Sequence, residues 1–530
     1  MGDGDKMSRF GMSPKSPKII LTADETMMSK YRWGIFVGFS TCMPRGILPD
    51  WFYFSVWAPP VPRKNGRALY ADFGLRIMEA SLANVFGADE VAVVHPRDLK
   101  RVAGDRTEII GVGGHDFLGI NPPTSEFVDM LDTGPPYNRV KFFELLRNPV
   151  MREKIVVIGG KAAWQLADEE IMDRLNIDYV HLGEGEITVP EMFKAILEGE
   201  KLPRIIKGKE PAPDEIPNIL GATIHGLVEI GRGCGRGCAF CTPNMQRLRY
   251  QSVAHIVRDV ETNIKAGQRS ICLHSEDVLR YGAKGIPPNE ERVLELFRRV
   301  ASVEGIKDIG TSHIALATAY HNPRLVEAVA EMCYSKVEDM NWLGAQTGIE
   351  TGSARLIAKH MRGKVLPSPP ERWREIVLQA FGILDDNNWI CAATLINGLP
   401  DETTDDVIKS IELVEDLKKT STLSLVVPMN FVSMRGSALD TEESFNIGKM
   451  TREHWQLMGE CIDHDLRVVP RLLRMYRDNK GIKSWLLSFA ATRMANALQK
   501  YVNKMKRGEP PTDRQEISKW LNPDIPDLRA

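Results

Sequence analysis

Three cysteines, Cys234, Cys238 and Cys241, stand at C-x3-C-x2-C inside the stretch LVEIGRGCGRGCAFCTPNMQRLR, Leu227 to Arg249. Thiolates at that spacing can hold three corners of an iron–sulfur cubane from one loop, leaving the fourth iron without a cysteine and open to chemistry. Gly231, Gly233, Gly235 and Gly237 let the backbone turn sharply around such a group. A structural zinc loop is the rival use of the same thiols. Zinc sites usually close with four protein ligands in two paired halves, and no second pair exists here. Cys272, Cys333 and Cys391 stand singly in apolar or helical surroundings, where a free cysteine is usually core filling.

The elements that must position this loop can be read on both sides of it. From Leu227 onward short strands alternate with helices: LVEIG, a helix over 252–266, SICLH, a helix over 289–302, HIALATA, a helix from Pro323, LGAQTGIE, a helix over 371–387, WICAATLING, a helix over 403–419, and LSLVVPMNF. Six such repeats predict a partial TIM-like barrel, whose chemistry belongs at the carboxyl ends of the strands, where the cysteine loop falls. Upstream, DEVAVVHP, EIIGVGGHDFLG, EKIVVIGG and IDYVHLGEGE alternate with helical stretches, the pattern of a doubly wound, Rossmann-like parallel sheet. Its strand ends carry His115, Asp116 and Gly119, then Gly159 and Gly160, then Gly183, Glu184 and Gly185, where ligands of such sheets sit.

The expected domain organisation is an N-terminal extension over 1–64, the Rossmann-like domain over 65–200, a proline-rich linker over 201–222, the partial barrel over 223–440 and a helical region over 441–530. The formal net charge of −2 argues against a nucleic-acid protein defined by global charge. Eight cysteines in 530 residues are no disulfide scaffold, and a thiolate cluster needs a reducing compartment. The first residues lack the apolar core of a signal peptide, and no apolar run approaches a membrane span. The expected location is the cytoplasm, without membrane attachment.

The cysteine spacing resembles the C-x3-C-x-aromatic-C motif of the radical S-adenosylmethionine (radical SAM) enzymes, with Phe240 at the aromatic position. Other strand ends resemble the same family in the same order. His274-Ser275-Glu276-Asp277 stands where the family often has Gly-Gly-Glu, so the resemblance gives Glu276 the methionine ammonium, although both glycines are missing. Gly348-Ile349-Glu350-Thr351-Gly352-Ser353 resembles Gly-Ile-Glu-Ser-Gly-Ser, implying ribose contacts for Glu350 and Ser353. Asn397-Gly398-Leu399-Pro400-Asp401-Glu402 resembles the Gly-x-Pro-Gly-Glu turn near adenine, at Gly398. Helix-capping turns are the bland alternative for each.

VVIGG followed by IDYVHLGEGE, immediately upstream of the cysteine loop, resembles the cobalamin-binding domain that precedes many radical SAM domains. The usual D-x-H-x-x-G fingerprint is absent; His115 is the nearest counterpart of its histidine, and a turn residue is the alternative. The resemblance implies three cofactors, a 4Fe–4S cluster, SAM and cobalamin, and a class B radical SAM methyltransferase acting on an unactivated carbon. It also implies an electron donor such as ferredoxin or flavodoxin.

A cobalamin-dependent radical cyclase or rearrangement enzyme shares every motif, and a non-enzymatic cofactor sensor is the third alternative. A methylthiotransferase needs a second cluster, whereas the first 200 residues contain only Cys42. DFLGINPP and GGKAAWQL resemble archaeal, methanogen-type members, some of which methylate residues of methyl-coenzyme M reductase; a glutamine carbon is the expected target, and a protein or peptide the expected substrate. Between Leu466 and Arg507 eleven Lys/Arg stand against one acidic residue, Asp478. Those charges are read as a solvated helix face or as a docking surface for a protein substrate.

Overall fold

The computed structural model describes residues 16–32, 35–242, 247–334, 342–420, 422–477, 493, 496, 498–511, 518–521 and 524–529. Its first unit is a six-stranded, all-parallel sheet made of β1 (Ile19–Thr22), β2 (Val91–Val93), β3 (Ile109–Gly113), β4 (Ile155–Gly159), β5 (Tyr179–Leu182) and β6 (Ile205–Lys207). The spatial order is β2-β1-β3-β4-β5-β6. The order reverses between β1 and β3, so a crevice opens beyond their carboxyl ends, where His115 lies.

Alternate residues of each strand feed two cores, as the two-residue period of a strand requires. Ile19, Leu21, Val91, Val93 and Ile109 pack with helices α1 (Phe73–Phe86) and, farther along, α5 (Thr188–Leu197). Ile20, Ala92, Ile110, Val156 and Ile158 face α3 (Tyr137–Leu146) and α4 (Glu169–Leu175) on the other side. Between these helices in the chain, α2 (Thr124–Leu131) runs toward the barrel.

Two expected boundaries need correction. The extension ends before residue 19, because Ile19–Thr22 is a central strand, buried on both faces. The linker likewise gives up Ile205–Lys207, which pairs with β5 as the edge strand.

The second unit carries six parallel strands in chain order: β7 (Leu227–Glu229), β8 (Ser270–His274), β9 (Asp308–Thr311), β10 (Leu343–Glu350), β11 (Trp389–Asn397) and β12 (Leu425–Asn430). Regular pairing stops between β9 and β10, where one parallel bridge, His313 to Gln346, continues the wall. The third strand was expected at HIALATA. It is Asp308–Thr311, in register with Ser270–Leu273, while the alanine-rich Leu316–His321 forms a helical turn.

In β10 and β11 burial alternates, with Ala345, Trp389, Cys391, Ala393 and Leu395 facing the helices and Gln346, Gly348, Ala392 and Thr394 facing a less crowded lumen. Helices α6 (Val253–Lys265), α7 (Glu290–Ala301), α8 (Pro323–Tyr334), α9 (Ala354–His360), α10 (Trp373–Asp386) and α11 (Thr404–Thr420) lie outside.

The region after 441 is integrated with both units. Helix α12 (Arg452–Arg477) covers the β12 edge: the backbone N–H of Val426 donates to Asp465 (2.8 Å), His464 Nε2 donates to the Ser424 carbonyl (2.9 Å), and Cys461 enters the barrel core. Ile525 and Leu528 then enter the core of the first sheet. Much of the basic stretch, including the side chains of Arg474 and Arg477, lies outside the described residues. Arg467 and Lys506, which are described, both pair with Asp463. Among the described residues no helix is long and apolar enough to cross a membrane.

Candidate functional site

The cysteine loop leaves the barrel after β7 and returns through an antiparallel hairpin, Gly231–Arg232 against Arg249–Tyr250. Gly233, at φ +73°, permits the crossing; a Cβ there would lie 2.0 Å from the Arg247 carbonyl oxygen. Buried donors fix the loop from outside. Arg236 donates to Asp277 (3.0 Å), Thr318 (2.8 Å) and the Gly363 carbonyl (3.1 Å). Arg280 Nη1 donates to the Cys234 carbonyl (2.7 Å), and the Ala239 N–H to the His360 carbonyl (2.7 Å). Phe240 packs against the barrel core.

The three thiols influence one another. Cys241 donates toward Cys238, which holds the Cys238 thiol below its ordinary range, helped by the Lys364 ammonium and Arg236 against the cost of burial. Cys241 is raised by the same bond and by burial, and Cys234 is raised by burial. Among the described residues no three His, Cys, Asp or Glu groups converge as they would on a single metal ion. A cubane takes each thiolate at a separate iron, so it does not require that convergence.

Two expected carboxylates are brought to this loop. Glu276 lies close enough to act on Cys234, and Glu350 on Cys238. Glu350 sits on a β-bulge at the end of β10 with φ +64°, an uncommon conformation for a non-glycine residue, and Lys364 Nζ (2.9 Å) and Thr394 Oγ1 (3.0 Å) donate to it. Gly348 makes room, since a Cβ there would meet Glu350 Oε1 at 1.8 Å. Lys364, Arg236 and Arg280 were not found from the sequence.

Other expected contacts are committed elsewhere. Ser353 is fully buried, donates to Asp406 (2.5 Å) and caps α9. Gly398 has Phe445 against its Cα face, where a Cβ would meet the ring at 2.0 Å. Asp116 is a staple of its own loop, accepting from the N–H of Ile120 (3.0 Å), Asn138 (3.1 Å) and Gln165 (2.8 Å). Gly119 packs on Pro136, and Gly185 on Val189 and Met78.

Glu184 faces the barrel rather than the crevice. Arg232 donates to Glu184 (2.6 Å), Glu186 (2.6 Å) and Glu229 (2.9 Å), and Arg249 binds the same Glu184. The two units are thereby locked at the hairpin that carries the cysteine loop.

Three positions stay accessible. A Cβ at Gly159 would meet nothing within 4 Å, and one at Gly183 only the Gly208 nitrogen at 3.9 Å; Gly160, by contrast, rests on the backbone of Gly114. The His115 side chain is 53% exposed, with Nε2 3.7 Å from Asp72. Lys161 and His115 are near enough to act on His274 at the barrel mouth, so the first sheet's strand ends face those of the barrel. Bare backbone at Gly159 and Gly183 gives a large planar ligand room there.

Comparison with known proteins agrees with this architecture. No protein-family model matches the chain. A protein of Methanocaldococcus jannaschii, assigned provisionally as a methylthiotransferase, is 26% identical over 286 residues, which is 50% of this chain and 58% of the relative. A tRNA-2-methylthio-N(6)-dimethylallyladenosine synthase of Magnetococcus marinus is 27% identical over 287 residues, 52% of this chain and 61% of the relative. The chain thus spans under two thirds of the length of these curated relatives. Among solved structures, the radical S-adenosylmethionine methyltransferase TsrM of Kitasatospora setae, with cobalamin and a [4Fe-4S] cluster bound, aligns with a TM-score of 0.51. That alignment has 13% identity and covers 80% of this chain and 74% of TsrM. The fold is therefore of the kind seen in a radical SAM methyltransferase.

Proposed function

We propose that this chain is a cobalamin-dependent radical SAM methyltransferase that moves a methyl group from SAM, by way of methylcobalamin, to an unactivated carbon of a protein or peptide residue. One juxtaposition carries the reading: a three-thiol loop with Glu276 and Glu350 beside it, at a barrel mouth facing the open glycine ends of a second parallel sheet. When bound, the cluster supplies an electron to open SAM and cobalamin carries the methyl group.

The protein's part is positioning and exclusion of water. Cys234, Cys238 and Cys241 hold the cluster, and Glu276 the ammonium of SAM. Glu350, already oriented by Lys364 and Thr394, accepts from the ribose hydroxyls. Gly159 and Gly183 let the corrin ring approach the backbone of the first sheet, with His115 beside it. The protein is read as cytoplasmic, reduced by a ferredoxin or flavodoxin, with a glutamine carbon of methyl-coenzyme M reductase as target. The basic stretch after Leu466 docks that protein substrate.

Methylthio transfer is the second reading, favoured by the names of the sequence relatives. It needs a second cluster, and the first 200 residues offer only Cys42, a buried thiol whose pKa burial pushes up to about 12. Anaerobic reconstitution tests the choice of cofactors. One 4Fe–4S cluster and one corrinoid per chain are expected, and a Cys234→Ala, Cys238→Ala, Cys241→Ala variant loses iron but keeps corrinoid. Two clusters per chain without corrinoid would replace this reading with methylthio transfer.

A further inference from the structure

Helix α6 begins at Ser252, directly after the hairpin strand that returns from the cysteine loop. Its first turn and that of α7 wall a cavity of about 690 Å³ among the outer helices, apart from the barrel lumen. That volume is ordinary for a small-molecule site. Ser252 Oγ accepts from the His255 N–H (3.2 Å), so the N–H groups of Val253 and Ala254 have no partner among the described residues. Val253 lines the cavity, and the positive end of the helix dipole favours an anion there. A second observation points the same way. Gln251 also lines the cavity and is only 5% exposed, yet its carboxamide makes no hydrogen bond among the described residues. Such a group is costly to bury unpaired, and a polar guest would satisfy it.

The remaining lining decides what kind of guest fits. Asn218 organises two of its residues: Arg258 Nε donates to Asn218 Oδ1 (2.7 Å), and Asn218 Nδ2 donates to Asp259 (2.7 Å), which lies 3.5 Å from His255 Nε2. The terminal nitrogens of Arg258 and Nδ1 of the buried His255 are left uncommitted among the described residues. Arg292 pairs with Glu295 (2.9 Å), so those two lining charges cancel. Asp214 is exposed and without an ion-pair partner among the described residues. It disfavours a bare inorganic anion and offers an acceptor to a hydroxyl or amino hydrogen of a larger guest. Tyr250, whose ring meets that of Tyr281 edge-on at 5.3 Å, adds an aromatic wall.

We propose that this cavity binds a nucleoside phosphate, with the phosphate on the first turn of α6 and Arg258, and the base against Tyr250 and the carboxamide of Gln251. A carboxamide both donates and accepts, as the edge of a base does. The site is separate from the one proposed for SAM, because Glu276, Glu350 and Gly398 do not line it.

The test is calorimetric titration of the reconstituted holoenzyme with AMP, GMP, CMP and UMP, their nucleosides, and inorganic phosphate. Each titration is made with saturating S-adenosylhomocysteine, so that the SAM site is filled. At least one nucleotide should bind once per chain, about tenfold or more tighter than its nucleoside or phosphate. Arg258→Gln should weaken that nucleotide by about tenfold or more and leave the nucleoside unchanged, whereas Arg258→Lys should keep part of the affinity. Gln251→Leu should weaken nucleotide and nucleoside alike. Arg258 is exposed, so its variants remain informative even where Gln251→Leu does not fold. SAM affinity should stay within about twofold of native in the Arg258 variants. Failure of all four nucleotides to bind would overturn the proposal. So would affinities no better than that of phosphate, which would mean an adventitious ion only, or nucleotide binding undiminished by Arg258→Gln. A parallel loss of SAM affinity in Arg258→Gln would also overturn it, by making the cavity part of the SAM site.

Discussion

Arg232 and Glu184 join the barrel to the first sheet through a 2.6 Å ion pair whose side chains are 16% and 12% exposed. Removing one partner of so buried a pair leaves charge without compensation, at a cost of about 3–5 kcal/mol. Arg232→Met should lower stability by that order and separate the unfolding of the two units, since Glu184, Glu186 and Glu229 all lose a partner. Denaturant unfolding followed by two probes checks this; a single unchanged transition would show that the network is incidental.

Glu126 on α2 accepts from the Asn430 N–H (2.7 Å) at the end of β12, and burial raises its carboxyl to about 7. The folded state therefore retains a proton that the unfolded chain releases near 4.5, so the stability from this group is full below 4.5 and is lost as pH rises through about 7. Glu126→Gln should match the native protein near pH 5 and exceed it in stability by about 1–3 kcal/mol near pH 8. Parallel pH–stability curves would contradict the assignment.

Glu350 and Ser353 are close in sequence but have different employment. Loss of a charged hydrogen-bonding group costs about 1.5–3 kcal/mol, so Glu350→Ala should weaken SAM binding by about 10- to 150-fold with the cluster retained. Ser353→Ala removes a helix cap and should cost about 1 kcal/mol of stability with little change in SAM affinity. Calorimetric titration of SAM separates the two.

Gly159→Trp should fold, because nothing lies within 4 Å of a Cβ there, yet it should block corrinoid uptake while leaving iron content unchanged. Normal corrinoid content in that variant would move the cofactor away from β4.

Much of this was legible from local pattern. Cys234, Cys238 and Cys241 announce themselves by spacing, and Glu350 by its Gly-flanked strand end. Strand β1 was not legible, because four residues buried on both faces show no alternation. Arg280, Lys364 and the Arg232–Glu184 pair are set by tertiary contacts, and no local period links residues 48 positions apart. Ser353 and Asp116 matched a motif or a strand end, but their side chains went to the nearest backbone and carboxylate partners, as short polar side chains commonly do.

The most direct test of methyl transfer is anaerobic incubation of the reduced, corrinoid-loaded protein with methyl-deuterated SAM and candidate protein substrates, followed by peptide mass spectrometry. The account predicts 5′-deoxyadenosine together with a substrate residue that has gained one deuterated methyl group on carbon, and neither in the triple cysteine variant. A gain of methylthio mass, or 5′-deoxyadenosine formed with a product that carries no label, would contradict it.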